Sequence, residues 1–224
     1  MKNLLLIMLI GIAMPYHSVA QASDQLEPFE PSQNAVDSYY NHLYQKVLWR
    51  MADKPLARFV VIPPYSPEYA LSVEKDQHNN YWLKSNIRVA YYDPASEKRV
   101  TAEKPVVLTK QINEKLARKI QHLFDLALQQ RRETMDFGVD GIRYFFSSYD
   151  EKDGMVNGQA SSPTSSSRTG LLVKICHELI GFAKGQNNSE DSLVNNINKL
   201  AARYEKPANE VRLSAVFEPA SSQK

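Results

Sequence analysis

The sequence predicts an α+β fold in which a small antiparallel sheet packs against three to four helices. Two patterns carry that expectation: segments with apolar residues at the helical period flank a central block of short runs rich in Val, Ile, Tyr and Trp, and polar turn residues separate those runs. Size is the third observation. Without its leader the chain keeps about 200 residues, enough to bury roughly 70% of the unfolded surface around one core. A single α+β domain with flexible termini is therefore expected over residues 23–224.

The leader is expected to occupy residues 1–22. After Lys2 and Asn3 comes an unbroken apolar run, "LLLIMLIGIAM", then Pro15 and the small-residue ending "SVAQA". That layout is a secretory signal peptide, and the run is shorter than the roughly 20 apolar residues a bilayer span needs. Ala20 and Ala22 offer small side chains to a signal peptidase, which places cleavage after Ala22. The mature protein is then periplasmic or secreted, with no membrane span once the leader is gone. Cys176 is the only cysteine, so N-terminal lipidation and an internal disulfide are both excluded, a usage that suits a Gram-negative periplasm. Lys+Arg 27 against Asp+Glu 25 gives a net charge of +2, too small a field to recruit nucleic acid or an anionic membrane.

The elements follow in order. Helix one is expected in "NAVDSYYNHLYQKVLWRMA", with Val36, Tyr39, Tyr40, Leu43, Val47 and Met51 on one side, Ser32 or Asn34 as cap, and Asp53 to Pro55 as its stop. Strands are expected in "ARFVVIPP", "EYALSVEKD", "NYWLKSNIRVAYYD" and "KRVTAEKPVVLT". The polar "KDQHNN" makes a hairpin turn, and Tyr69, Leu71 and Val73 share a face. The next helix, "LTKQINEKLARKIQHLFDLALQQRRE", carries the stripe Ile112, Leu116, Ile120, Leu123, Phe124 and Ala127, with Thr109 as cap and Arg131 and Arg132 at its exposed carbonyls. A strand in "GVDGIRYFFSSYDEKDG" alternates Ile142, Tyr144 and Phe146 with polar positions. The small polar "NGQASSPTSSS" reads as a loop. A helix ending at Ala183, a helix in "SEDSLVNNINKLAARY" and a last strand in "NEVRLSAVF" complete the chain.

Candidate chemistry concentrates in "SSPTSSSRTGLLVKICHEL". Successive helical residues are about 100 degrees apart, so Cys176, His177 and Glu178 cannot form a dyad among themselves. Cys176 shares the apolar stripe of Leu172, Leu179 and Ile180, where a thiol acts as a small hydrophobe, and Glu178 can pair with Lys174. "HELIG" lacks the second imidazole of a zinc-protease helix, because Gly181 stands one turn on. "SVEK" and "RTG" echo serine enzymes of peptidoglycan, yet Ser72 and Lys75 lie on opposite faces of a strand and Arg168 to Gly170 enter a helix. Ser167 or Thr169 caps that helix. With Arg168, its free amides can hold a carboxylate or phosphate.

"NNYWLKSNIRV" and "DGIRYFF", separated by a long helix, resemble exported bacterial proteins that carry a recurring Asp-Gly-x-x-Tyr-x-Phe pattern. The resemblance covers about half of the mature chain, from Asn79 to Phe182, and implies export and an α+β fold without an activity. Such proteins carry a tryptophan-serine-proline after the strand. Here "SSPTSS" keeps only serine and proline, so whatever that tryptophan contributes to a ligand in such proteins is not expected here.

The sequence thus points to an exported, non-catalytic interaction or ligand-binding protein that uses no cofactor or metal. Its expected partner is a protein or a small anionic ligand of the cell envelope. Candidate binding residues are Ser167, Arg168, Thr169, Trp82 and Tyr144, set in a surface of the 158–169 loop with Tyr81 and Tyr149. The competing expectation is a small envelope hydrolase with a serine nucleophile or Cys176.

Overall fold

The strand-forming sequences pair into one antiparallel sheet of seven strands. A computed structural model describes it, with its helices, over residues 24–29, 42, 44–88, 90–93, 98–101, 105–133, 141–186 and 189–206. The strands are β1 (Glu27–Pro28), β2 (Ala57–Ile62), β3 (Tyr69–Lys75), β4 (Tyr81–Ile87), β5 (Ala90–Asp93), β6 (Lys98–Thr101), β7 (Val106–Ile112), β8 (Arg143–Asp150) and β9 (Gly154–Ser161). The helices are α1 (Glu114–Gln129), α2 (Arg168–Ala183) and α3 (Glu190–Glu205), and residues 44–47 are also helical. Strand order is β1-β9-β8-β2-β3-β4-β7, while β5 and β6 pair alone in a ribbon that extends the β4–β7 hairpin.

The expectation of a small sheet is thereby corrected, and two misread segments explain why. The expected loop "NGQASSPTSSS" begins inside β9, whose main chain pairs with β8 from Arg143↔Ser161 to Asp150↔Gly154. Gly158 has no room for a side chain between α1 and the N-terminal arm: a Cβ there would lie 2.9 Å from Leu128 and 3.2 Å from Leu26. At the second place, β7 runs to Ile112, so Thr109 is a strand residue opposite Lys84 and not a helix cap. Asn113 caps α1 instead, its Oδ1 accepting the Leu116 amide at 2.8 Å.

Other expectations resolve along the chain. Helix one stops at residue 47, ahead of Asp53, with Arg50 in the left-handed region at φ 59. Its caps Ser32 and Asn34, the leader 1–22 and the last strand "NEVRLSAVF" lie outside the described residues. The "KDQHNN" hairpin forms as read: Asp76 accepts the His78 and Asn80 amides at 2.8 and 2.9 Å, and Asn79 takes φ 63. Arg131 donates to the Leu128 carbonyl at 2.8 Å, the charge–carbonyl contact expected at the end of α1. Among the described residues no helix is long and apolar enough to cross a membrane.

Two cores hold the sheet. On the helix side Phe59, Leu71, Leu83 and Phe146 pack against Phe124 and Leu179, each excluded from solvent to within 2% and each worth roughly 1.5–3 kcal/mol of burial. The other face has a smaller cluster of Val47, Val60, Ile62, Ala70 and Phe145, flanked by Phe29, Tyr44, Leu48 and Met51. Residues 24–29 wrap the β9 edge between the two, with Leu26 in the first core and Phe29 meeting Phe145 at 4.8 Å in the second. Pro28 offers no amide to a further strand, so the arm closes that edge.

Candidate functional site

Register across six strands creates the site. Asn157, Ser147, Arg58, Ser72, Lys84 and Thr109 stand opposite one another from β9 to β7. Alternation along each strand puts all of them on the face away from the helices. This polar row crosses the sheet, and residues 44–52 lie over it, fastened by polar side chains. Asn86 donates to the Val47 and Trp49 carbonyls at 2.8 and 2.7 Å, and Arg58 donates to the Ala52 carbonyl. Glu74 accepts the Ala52 amide at 2.8 Å, and Tyr44 meets Ser147 at 3.3 Å. Buried polar groups here mainly bind a stretch of backbone that forms no ladder.

Beyond Ala52 the cover ends and a groove of about 400 Å³ opens over β3, β4 and β7, lined by Ala52, Glu74, Asp76, Trp82, Lys84 and Thr109. Its geometry is fixed from below. The Trp82 indole donates to Asp76 at 3.0 Å, which sets the ring plane, and Lys84 pairs with the buried Glu74 at 2.6 Å. Hydrogen bonds from the Trp82 indole, the Asn80 amide side chain and two backbone amides hold the Asp76 carboxyl far below the usual range.

The acceptors of the groove are therefore occupied from within the protein, while donors remain. Lys84 has N–H bonds beyond the one to Glu74. Thr109 is exposed. Deeper in the row, outside the groove's lining, the fully buried Ser72 hydroxyl and the Arg58 Nε have no hydrogen-bond partner among the described residues. The donors of Lys84 and Thr109, beside a flat aromatic wall, suit an oxygen-bearing ligand with an apolar face.

The structure separates the sequence-predicted residues. Trp82 is half-buried in this groove. Tyr144 is buried on the opposite face, stacked on Phe59 at 5.9 Å between centroids, and Tyr81 is buried with its hydroxyl donating to Glu114 at 2.7 Å. Ser167 caps α2 by accepting the Gly170 amide at 2.9 Å. The anion cradle of that helix holds the protein's own carboxylate: Asp24 accepts from the Arg168 amide and, at 2.9 Å, from its guanidinium, which also donates to Gln130 at 2.9 Å. Thr169 is fully buried.

Cys176 is wholly buried, and burial pushes its thiol well above the ordinary value. The neighbouring His177 ring turns to Phe59 and Tyr69, its Nε2 sharing a 2.7 Å hydrogen bond with the Tyr69 hydroxyl; burial, then Lys184, lowers its pKa. Glu178 accepts from Asn196 at 3.1 Å in place of the expected Lys174. His78 and His122 bond to Gln77 and Glu205. Of the Asp-Gly-x-x-Tyr-x-Phe pattern, Gly141 takes φ 130, a region suited to glycine, and Tyr144 and Phe146 enter the helix-side core.

No family model matches the chain, and no curated protein or solved structure matches it. Glu74, Asp76, Lys84 and Arg58 were not singled out from the sequence, which offered Thr109 only as a helix cap and Ser72 only as a strand residue. They come from four strands and a turn, so only the register assembles them. The one local signal was an aspartate followed by "QHNNYW", a turn residue placed to orient a tryptophan.

Proposed function

We propose that this is an exported, non-catalytic binding protein whose groove at Trp82 takes a small anionic ligand. The ligand's oxygens face Lys84 and Thr109, and its flat apolar part lies along the indole. One observation carries this reading: in a preformed groove every carboxylate oxygen is engaged by the protein while the lysine and threonine donors of Lys84 and Thr109 are left over. Export rests on the leader sequence. Cleavage after Ala22 keeps Asp24 and Leu26, both of which the fold uses. The buried, high-pKa thiol of Cys176 speaks for binding over nucleophilic catalysis.

Two tryptophans, Trp49 and Trp82, are present, so a Trp49→Phe protein reports Trp82 emission alone. It is titrated with benzoate, benzamide and acetate, which separate charge from ring. Saturable quenching is expected with benzoate, weaker with the other two, and Lys84→Met weakens the benzoate response by roughly tenfold, about 1.4 kcal/mol. Unchanged Trp82 emission with benzoate, or equal binding by Lys84→Met, overturns the proposal.

A further inference from the structure

The two edges of the sheet are finished differently. At β9 the chain lays its own arm, with Pro28, along the edge. At β7 seven residues without proline, Val106–Ile112, pair on one side with β4, and no described strand pairs with the other. Val106 is 51% exposed and Val107 39%. Sheet edges are ordinarily guarded by an outward lysine, a bulge or a cover. The only charge on β7, Lys110, does not guard it: its ammonium donates to the Phe182 carbonyl at 3.2 Å and lies 3.5 Å over that ring. An edge that is long, apolar at one end and stripped of its charge is built to pair.

We infer that β7 pairs with β7 of a second copy of this chain, antiparallel about a two-fold axis through Thr109, joining the two sheets into one. The sequence of the strand argues for a copy of itself. A two-fold axis at Thr109 uses all of β7: Val106 meets Ile112 of the partner subunit, Val107 meets Gln111 of the partner subunit, and Leu108 meets Lys110 of the partner subunit. No like charges oppose one another in this register. An axis at Leu108 shortens the ladder, and one at Lys110 also sets two lysines face to face. The period of two keeps the helices of both copies on one side. On the other side the polar row passes through the axis, so that Lys84, Thr109 and Thr109 of the partner subunit stand in line. Each ligand groove then gains its outer wall from the other subunit.

The inference goes beyond the ligand reading and stands or falls without it, because its test reads mass. The mature chain, 23–224, is sedimented over a wide concentration range beside Val107→Lys and Thr109→Cys. A dimer that dissociates on dilution is expected. Val107→Lys raises its dissociation constant by roughly tenfold or more with a melting temperature unchanged at dilutions where both proteins are monomeric, and Thr109→Cys gives a disulfide-linked dimer on mild oxidation. A wild-type protein monomeric throughout overturns the inference. So does a dimer indifferent to Val107→Lys whose Thr109→Cys variant does not cross-link.

Discussion

Replacing Glu74 with alanine should release residues 44–52 from the sheet, and its cost can be worked from two contacts. The Ala52 amide donates to the buried carboxylate at 2.8 Å; a hydrogen bond to a charged, buried acceptor is worth about 1.5–3 kcal/mol, and its loss leaves the amide unpaired. Lys84 pairs with the same carboxylate at 2.6 Å, but its side chain is 28% exposed. It can rehydrate, so the ion pair contributes about 0–1 kcal/mol. The sum for Glu74→Ala is about 1.5–4 kcal/mol, whereas Glu74→Gln, which keeps a neutral acceptor for Ala52, should lose about 1 kcal/mol or less. In urea this corresponds to a midpoint lowered by about 1 M for alanine, with an unchanged slope. Amide exchange at Ala52 should accelerate in the same variant. Equal damage from glutamine and alanine would show that charge, and not the backbone clamp, dominates, and would refute the reasoning.

Three further outcomes follow from the packing. Gly170→Ala places a Cβ 2.0 Å from the Thr164 carbonyl oxygen and 2.8 Å from its carbon. Neither backbone atom can yield cheaply, so a loss of about 1–3 kcal/mol is expected in the same urea assay. Cys176, buried with a raised thiol pKa, should resist iodoacetamide at neutral pH and react only on unfolding, as read by mass spectrometry; rapid labelling of native protein would restore the case for a nucleophile. Burial and then Lys184 lower the His177 pKa in the fold, while in the unfolded chain it takes a proton near the ordinary value of about 6.5. The unfolded state therefore binds more protons as pH falls, so this contribution to stability is present above that value and is lost below it. His177→Gln should flatten the stability profile as pH falls below about 6.5, measured by melting temperature.

Much of the fold was written in local pattern. Tyr69, Leu71 and Val73 alternate because one face of β3 meets the helices, and the stripe of α1 from Leu116 to Ala127 repeats at its turn. The pattern failed where tertiary packing chose the residues. Gly158 is small because Leu128 and Leu26, both far off in sequence, occupy the space beside it, which made β9 look like a loop. Ile112 lies four residues before Leu116, so a strand residue counted as part of a helical stripe. The site was less legible still. Trp82 stood out as an aromatic next to a turn, but Lys84 and Thr109 look like ordinary strand polar residues until register puts them in one row. Arg168 and Ser167 did read as an anion cradle. Its carboxylate comes from Asp24, 144 residues away, beyond any local motif.

Backbone chemical-shift mapping of the mature, 15N-labelled protein titrated with benzoate tests the groove most directly. Shifts should gather at Ala52, at residues 74–76, at the Trp82 indole and at Lys84 and Thr109. Shifts clustered instead at residues 167–169, or absent altogether, contradict binding on the polar row.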